Sequence, residues 1–204
     1  MMKIKEIITK LWLAFFIVLV LWGCESDYAP KPKGYNRFIL PEHAYQPLPD
    51  TLPYYFEYSK HARLLKDSSW ISDKYWVEIY YPQFKADIHI TYKTVNNLDS
   101  LKEYFDDAYF LTAKHQIKAS AIDEAISKTP SGKTVVYAEL EGEVPSQFQF
   151  ISTDSTENFL RGALYFNTQV QNDSLQPAIE YVKVDIVHMM NTLKWNSLKE
   201  SSRN

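Results

Sequence analysis

Apolar residues follow several different rhythms along this chain. Leu11 to Trp22 is an unbroken apolar run with no charge, preceded by Lys3, Lys5 and Lys10 and one acid, Glu6. It is shorter than the roughly 20 residues that cross a bilayer and suits the core of a secretory signal. The competing reading is an uncleaved anchor helix from about Ile7 to Trp22. From Glu25 to Pro53 no period exists, and Pro30, Pro32, Pro41, Pro47, Pro49 and Pro53 interrupt both helix and strand. A two-residue rhythm begins at Leu52: Tyr54, Phe56 and Tyr58 alternate with Tyr55 and Glu57. Tyr75–Tyr81 and Ala86–Val95 read as a hairpin around Pro82-Gln83-Phe84.

A helical rhythm then takes over. Asn97 is placed to cap a helix running to about Ile117, with Leu98, Leu101, Phe105, Ala108 and Leu111 on one side. Ala119–Lys128 alternates weakly and is taken as a strand, because the Thr129-Pro130-Ser131-Gly132 turn would fold it onto Lys133–Leu140. Ser146–Thr153 and Asn158–Asn167 form a further hairpin. Pro177 is placed at the start of a last helix, whose stripe is Ile179, Val182, Ile186, Met189 and Leu193 and whose end lies near Trp195. Strands in blocks with two helices between and after them predict an α+β fold: a single domain, largely one antiparallel sheet of six or seven strands carrying two main helices. The expected layout is a signal peptide over 1–23, a proline-rich tether or arm over 24–53, a globular domain over 54–198 and a polar tail over 199–204.

Cys24 is the only cysteine, which excludes an intramolecular disulfide and leaves a thiol to be explained in an exported chain. Leu21-Trp22-Gly23-Cys24 explains it as a lipoprotein cleavage site. Leu21 and Gly23 fit that pattern, and Trp22 stands where a small residue is usual. A diacylglycerol and an N-acyl chain such as palmitate on Cys24 would anchor the protein permanently, at about 0.8 kcal/mol per buried methylene. The chain carries 22 basic and 25 acidic side chains, net −3. Without the first 23 residues the net charge is about −5, which argues against nucleic acid. Within the arm, Gly34–Pro41 is apolar enough to dock, either on its own domain or on a partner.

Candidate chemistry is sparse. None of His43, His61, His89, His115 and His188 lies three or four residues from another, so no metal-binding pair sits on one helix face. No metal and no cofactor are expected. Asp87 and His89 share a strand face, as a metal or acid–base pair or simply as a solvated face. Thr153-Asp154-Ser155-Thr156 is the densest polar cluster, either hydroxyls for a ligand or a hairpin turn bonding its own backbone. Asp185 and His188 flank the stripe of the last helix as a boundary pair. Tyr75, Trp76, Tyr80 and Tyr81 put rings on both faces of a strand, one for the core and the other to be covered by a second layer or by a partner. No nucleophile elbow and no phosphate-binding glycine loop occurs.

Several segments together are similar to one family. Tyr28-Ala29-Pro30-Lys31-Pro32-Lys33-Gly34-Tyr35-Asn36-Arg37 with Leu40-Pro41 resembles the opening of the gliding motility lipoprotein GldD family of Bacteroidota. So do Ile88–Lys93, Lys114-His115 with Lys118-Ala119, Gln147–Phe150, Thr153–Thr156 and Phe159–Phe166. The resemblance runs over the whole mature chain in order. It implies a component required for gliding, linked to the type IX secretion system, with no catalytic residue assigned. The element order is similar to the Mog1/PsbP-like sandwich by analogy. The expectation is a non-enzymatic lipoprotein in the cell envelope, facing the periplasm and more on the outer than the inner membrane. It would contact other gliding and secretion proteins through Tyr35, Arg37 and Phe38 on the arm and through Asp154, Ser155 and Thr156. The alternative is a periplasmic protein with a pocket on the sheet for a small ligand or peptidoglycan. Labelling of cells with a lipid precursor checks the anchor: Cys24→Ala is expected to abolish incorporation, and undiminished label in that variant would refute lipidation at this residue.

Overall fold

In a computed structural model, the described residues are 12, 38–67, 69, 71–167 and 172–196. The chain divides into Met1–Pro32 and a compact unit, Lys33–Asn204. Cys24, Tyr35 and Arg37 lie outside the described residues. The second unit holds eleven strands and two helices among its described residues: β1 Tyr45–Pro47, β2 Tyr54–Tyr55, β3 Glu57–Ser59, β4 Arg63–Lys66, β5 Val77–Tyr81, β6 Ala86–Thr94, α1 Leu98–Ala113, β7 Ala119–Lys128, β8 Thr134–Gly142, β9 Ser146–Thr153, β10 Asn158–Phe166, α2 Asn172–Asn191 and β11 Lys194–Trp195. Seven strands form one sheet in the order β4-β5-β6-β10-β9-β8-β7, antiparallel throughout. Two small ribbons, β1-β3 and β11-β2, complete the architecture. This is the expected α+β fold with seven strands and two helices.

The alternation along each strand sorts side chains to the two faces of the sheet. Val77, Ile79, Tyr81, Ile88, Ile90, Tyr92, Phe148, Phe150, Leu160 and Leu164 face one side. There they meet Val182, Ile186, Met189 and Met190 of α2 and the aromatic residues Tyr54, Phe56 and Tyr58. The opposite face carries Ile151 and Phe159, which pack against Leu101 and Ala108 of α1. The sheet is therefore a middle layer with one helix on each side. Gly162 lies opposite Phe150 in the β9–β10 register. Phe150 lies across it so closely that a Cβ there would stand 2.0 Å from Cζ of the ring.

Helix α1 begins where the sequence places it. The Asn97 side chain accepts from the Ser100 amide at 2.8 Å, and the Ser100 hydroxyl accepts from the Asn97 amide at 3.1 Å. This reciprocal pair satisfies two donors that the first turn leaves without partners. The helix ends at Ala113 rather than Ile117, because tighter bonds take over, such as His115 N–H to Thr112 O at 3.0 Å. Its core stripe is Leu101, Phe105, Ala108 and Thr112, while Leu98 and Leu111 are exposed. Helix α2 starts at Asn172, so Pro177 lies inside it rather than at its first position. The expected stripe Ile179, Val182, Ile186, Met189 and Leu193 is buried throughout. The helix stops at Asn191, and Trp195 belongs to β11.

The tether expected to reach Pro53 is, from Phe38 onward, part of the fold. Residues 45–47 pair with 57–59, Leu48 N–H donates to Phe56 O at 3.0 Å, and Leu48 and Leu52 are buried. Proline denies a ladder donor, yet Pro47 sits in a two-stranded edge ribbon, where prolines are tolerated. Gly162→Ala is expected to lower the stability by about 1–3 kcal/mol through overpacking against Phe150. Chemical denaturation of the variant checks this, and an unchanged midpoint would contradict the close approach.

Candidate functional site

The arm is fastened to the sheet by rings and one buried carboxylate. Phe38 meets Phe84 edge-on with centroids 5.6 Å apart. Five residues on, His43 Nδ1 lies 2.7 Å from Asp185 Oδ1, and Tyr81 OH donates to Asp185 Oδ2 at 3.0 Å. Burial, and then the Asp185 charge nearby, pushes the Tyr45 hydroxyl up to about 12. Burial, then Asp185, raises Tyr81 well above the ordinary value. Both phenols thus stay protonated, and Tyr81 donates to the carboxylate. His43 stacks on Tyr181 at 4.3 Å, and Tyr45 stacks on His188 at 3.5 Å. Asp185 and His188 do not pair with each other: His188 Nε2 lies 2.8 Å from Glu57 Oε2.

Asp154 organises the β9–β10 turn. Its Oδ1 accepts from the amides of Thr156, Glu157 and Asn158 at 3.0, 2.9 and 2.9 Å. Its Oδ2 accepts from Asn158 Nδ2 at 2.5 Å, and Tyr92 OH donates to Asn158 Oδ1 at 2.6 Å. Partial burial alone would raise the Asp154 carboxyl, but these hydrogen bonds outweigh it and bring it from 3.8 to about 2. Ser155 takes a positive φ of 65° inside this Asp-held loop. The side chains of Ser155 and Thr156 are exposed.

The remaining histidines are dispersed. His61 Nε2 meets Glu42 O at 3.0 Å, and His115, after α1, is pushed down by burial and by the Arg161 charge. His89 Nδ1 lies 3.8 Å from Glu78 Oε1. Asp87 is buried and bonded to the Asn167 side-chain amide. The four rings of the β5 region are largely absorbed by the fold. Tyr81 is buried, Tyr75 packs edge-on to Tyr92, Trp76 Nε1 donates to Tyr92 O at 3.0 Å, and Tyr80 is half-buried. A deep cleft lined by Asp87, His89 and Asp154 together would favour the ligand-binding alternative. The register pairs Asp87 with Tyr165 and Thr94 with Asn158. Asp154, beside Asn158, is thus roughly 20 Å along the strands from Asp87, at about 3.3 Å per residue.

One feature of the opposite face escaped the sequence reading. Arg161 Nη2 donates to Gln149 Oε1 at 2.8 Å, and Thr112 Oγ1 donates to the same oxygen at 2.9 Å. Because Arg161 can only donate, the Gln149 oxygen must face it. The Gln149 Nε2 group is then buried with no hydrogen-bond partner among the described residues, a state that costs about 1–3 kcal/mol. Burial lowers the Arg161 pKa. Tyr109, Thr112 and Glu124 line the shallow cleft that these two residues share. Beside it, the C-terminal end of α1 displays Phe110 at 61 % exposure, with Tyr109 and Leu111 also exposed, and the turns that follow display Ile117 at 93 %. Among the described residues no helix is long and apolar enough to cross a membrane.

The family model described as gliding motility lipoprotein GldD matches residues 25–195. No curated protein sequence matches the chain. Among solved structures, the solution structure of cyanobacterial PsbP (CyanoP) from Synechocystis sp. PCC 6803 is similar, with a TM-score of 0.45 at 10 % identity, covering 81 % of this chain and 99 % of that one.

The Asp154 geometry makes acid stability a direct readout. Its folded pKa lies below the ordinary 3.8, so its contribution is full above that value and is lost as pH falls through about 2. Asp154→Asn is expected to be less stable at neutral pH and to flatten the stability profile between those two values. Unfolding curves across that range check this, and a profile unchanged in the variant would contradict the turn assignment.

Proposed function

This chain belongs to the gliding motility lipoprotein GldD family, and from that premise we propose that it is a non-enzymatic assembly component of the gliding and type IX secretion machinery. Lipid on Cys24 holds it to a membrane of the envelope, on the periplasmic side and in the outer rather than the inner membrane. The folded unit then docks other envelope proteins. One observation carries this reading: Tyr109, Phe110 and Leu111 at the end of α1 and Ile117 in the turns after it are exposed, beside a cleft where Arg161 lies with the Gln149 amide, unpartnered among the described residues. Large apolar side chains beside buried polar groups are what a partner surface uses, with rings and arginine at its centre.

The arm supplies the second contact. Phe38 packs on Phe84, which makes it the point where the arm joins the domain. Tyr35 and Arg37 precede that point, and we assign them to partner binding. The Asp154–Thr156 turn offers the exposed Ser155 and Thr156 as a further contact, with Asp154 holding their backbone. The supports for a role without catalysis are the dispersal of the histidines and the separation of Asp87 from Asp154 along the sheet.

Two variants test the two surfaces separately. Tyr35→Ala with Arg37→Ala is expected to abolish colony spreading while leaving the domain folded. Phe110→Ser with Ile117→Ser, at exposed positions, is expected to abolish spreading while stability stays within about 0.5 kcal/mol per site. Normal spreading from either double mutant would overturn the surface it removes.

A further inference from the structure

At the edge of the sheet three potential ligands converge from three consecutive pieces of chain. Asp67 follows β4, Glu78 is on β5 and His89 is on β6. One ligand atom from each lies within 4.8 Å of the other two. Ligand atoms around a tetrahedral ion at about 2.0–2.2 Å stand roughly 3.4 Å apart, so side-chain movements of about 1 Å close the set.

The charge balance points the same way. Asp67 is only 6 % exposed. Its Oδ1 accepts from the Ser69 amide at 2.7 Å, and among the described residues Oδ2 makes no hydrogen bond and no Lys or Arg pairs with the carboxylate. Glu78 is half-buried beside it. Glu78 Oε1 lies 3.8 Å from His89 Nδ1. A buried carboxylate is stable only when a proton, a donor set or a cation compensates it. Here two carboxylates share one imidazole, and among the described residues no Lys or Arg pairs with either.

We propose that Asp67, Glu78 and His89 bind a divalent first-row transition-metal ion. Two carboxylate oxygens and one imidazole nitrogen are the donor types that suit Zn²⁺, Mn²⁺ or Fe²⁺. The ion fastens the loop after β4 to β5 and β6 and stabilises the exposed edge of the sheet. Nothing in this inference depends on the docking surfaces above, since none of its residues lies on them.

The experiment is calorimetric titration of Zn²⁺ into the full chain, solubilised in detergent and stripped with EDTA. It compares wild type with Glu78→Gln, His89→Gln and His115→Gln, the last a histidine remote from the set. Wild type and His115→Gln are expected to show one saturable site and a Zn²⁺-dependent rise in melting temperature. Glu78→Gln and His89→Gln are expected to lose at least about tenfold in affinity, the loss that even an outer-shell partner produces, together with the rise in melting temperature. Melting temperatures in EDTA matching wild type show that both variants fold. Absence of saturable binding in wild type, or undiminished binding in both variants, would overturn the proposal.

Discussion

Asp185 carries a carboxylate with no exposure to solvent, and two other segments keep it satisfied. Tyr81 reaches it from β5 and His43 from the arm. Removing water from such a group costs several kcal/mol unless donors replace it. Of the two segments, β5 is held on both sides by the sheet, whereas the arm has little else to hold it in register. The arm has a three-residue strand, several prolines and two buried leucines. Its path across the domain is therefore set by the need to deliver an imidazole to one buried site on α2. The stacks of His43 on Tyr181 and of Tyr45 on His188 complete the clasp.

That clasp takes residues 38–53 out of any tether and makes them part of the domain. Of the proposed contacts, Phe38 belongs to this docked stretch, while the α1 surface lies on the face of the sheet away from α2. On the proposed function, the two surfaces are separate contacts of one folded unit, and binding through both at once raises the effective concentration of each without any new interaction.

How much of this was legible in the sequence depends on whether the signal was local. The alternation in Ala86–Thr94, the Asn97 cap and the α2 stripe are decided within a few residues, and the structure follows them. Asp154 was legible as a turn residue for the same reason. The docking of the arm was not, because its short strand pairs 10 to 14 residues away and its anchor is a carboxylate 142 positions on. Pro177 misled because a proline marks a helix start only when no earlier residues continue the turn. The Leu98 and Leu111 periodicity continued beyond the surface that the sheet offers to α1. The Arg161–Gln149 pair and the Asp67–Glu78–His89 set were invisible because cross-strand register alone brings them together.

The central claim is that this lipoprotein acts by holding other envelope proteins. The most direct measurement is affinity purification of the tagged, full-length protein from detergent-solubilised membranes, with the recovered proteins identified by mass spectrometry. The account predicts that components of gliding or type IX secretion are recovered with wild type and are depleted when the α1 surface and the arm are altered together. Recovery of the lipoprotein alone, or the same set of proteins with the altered chain, would contradict it.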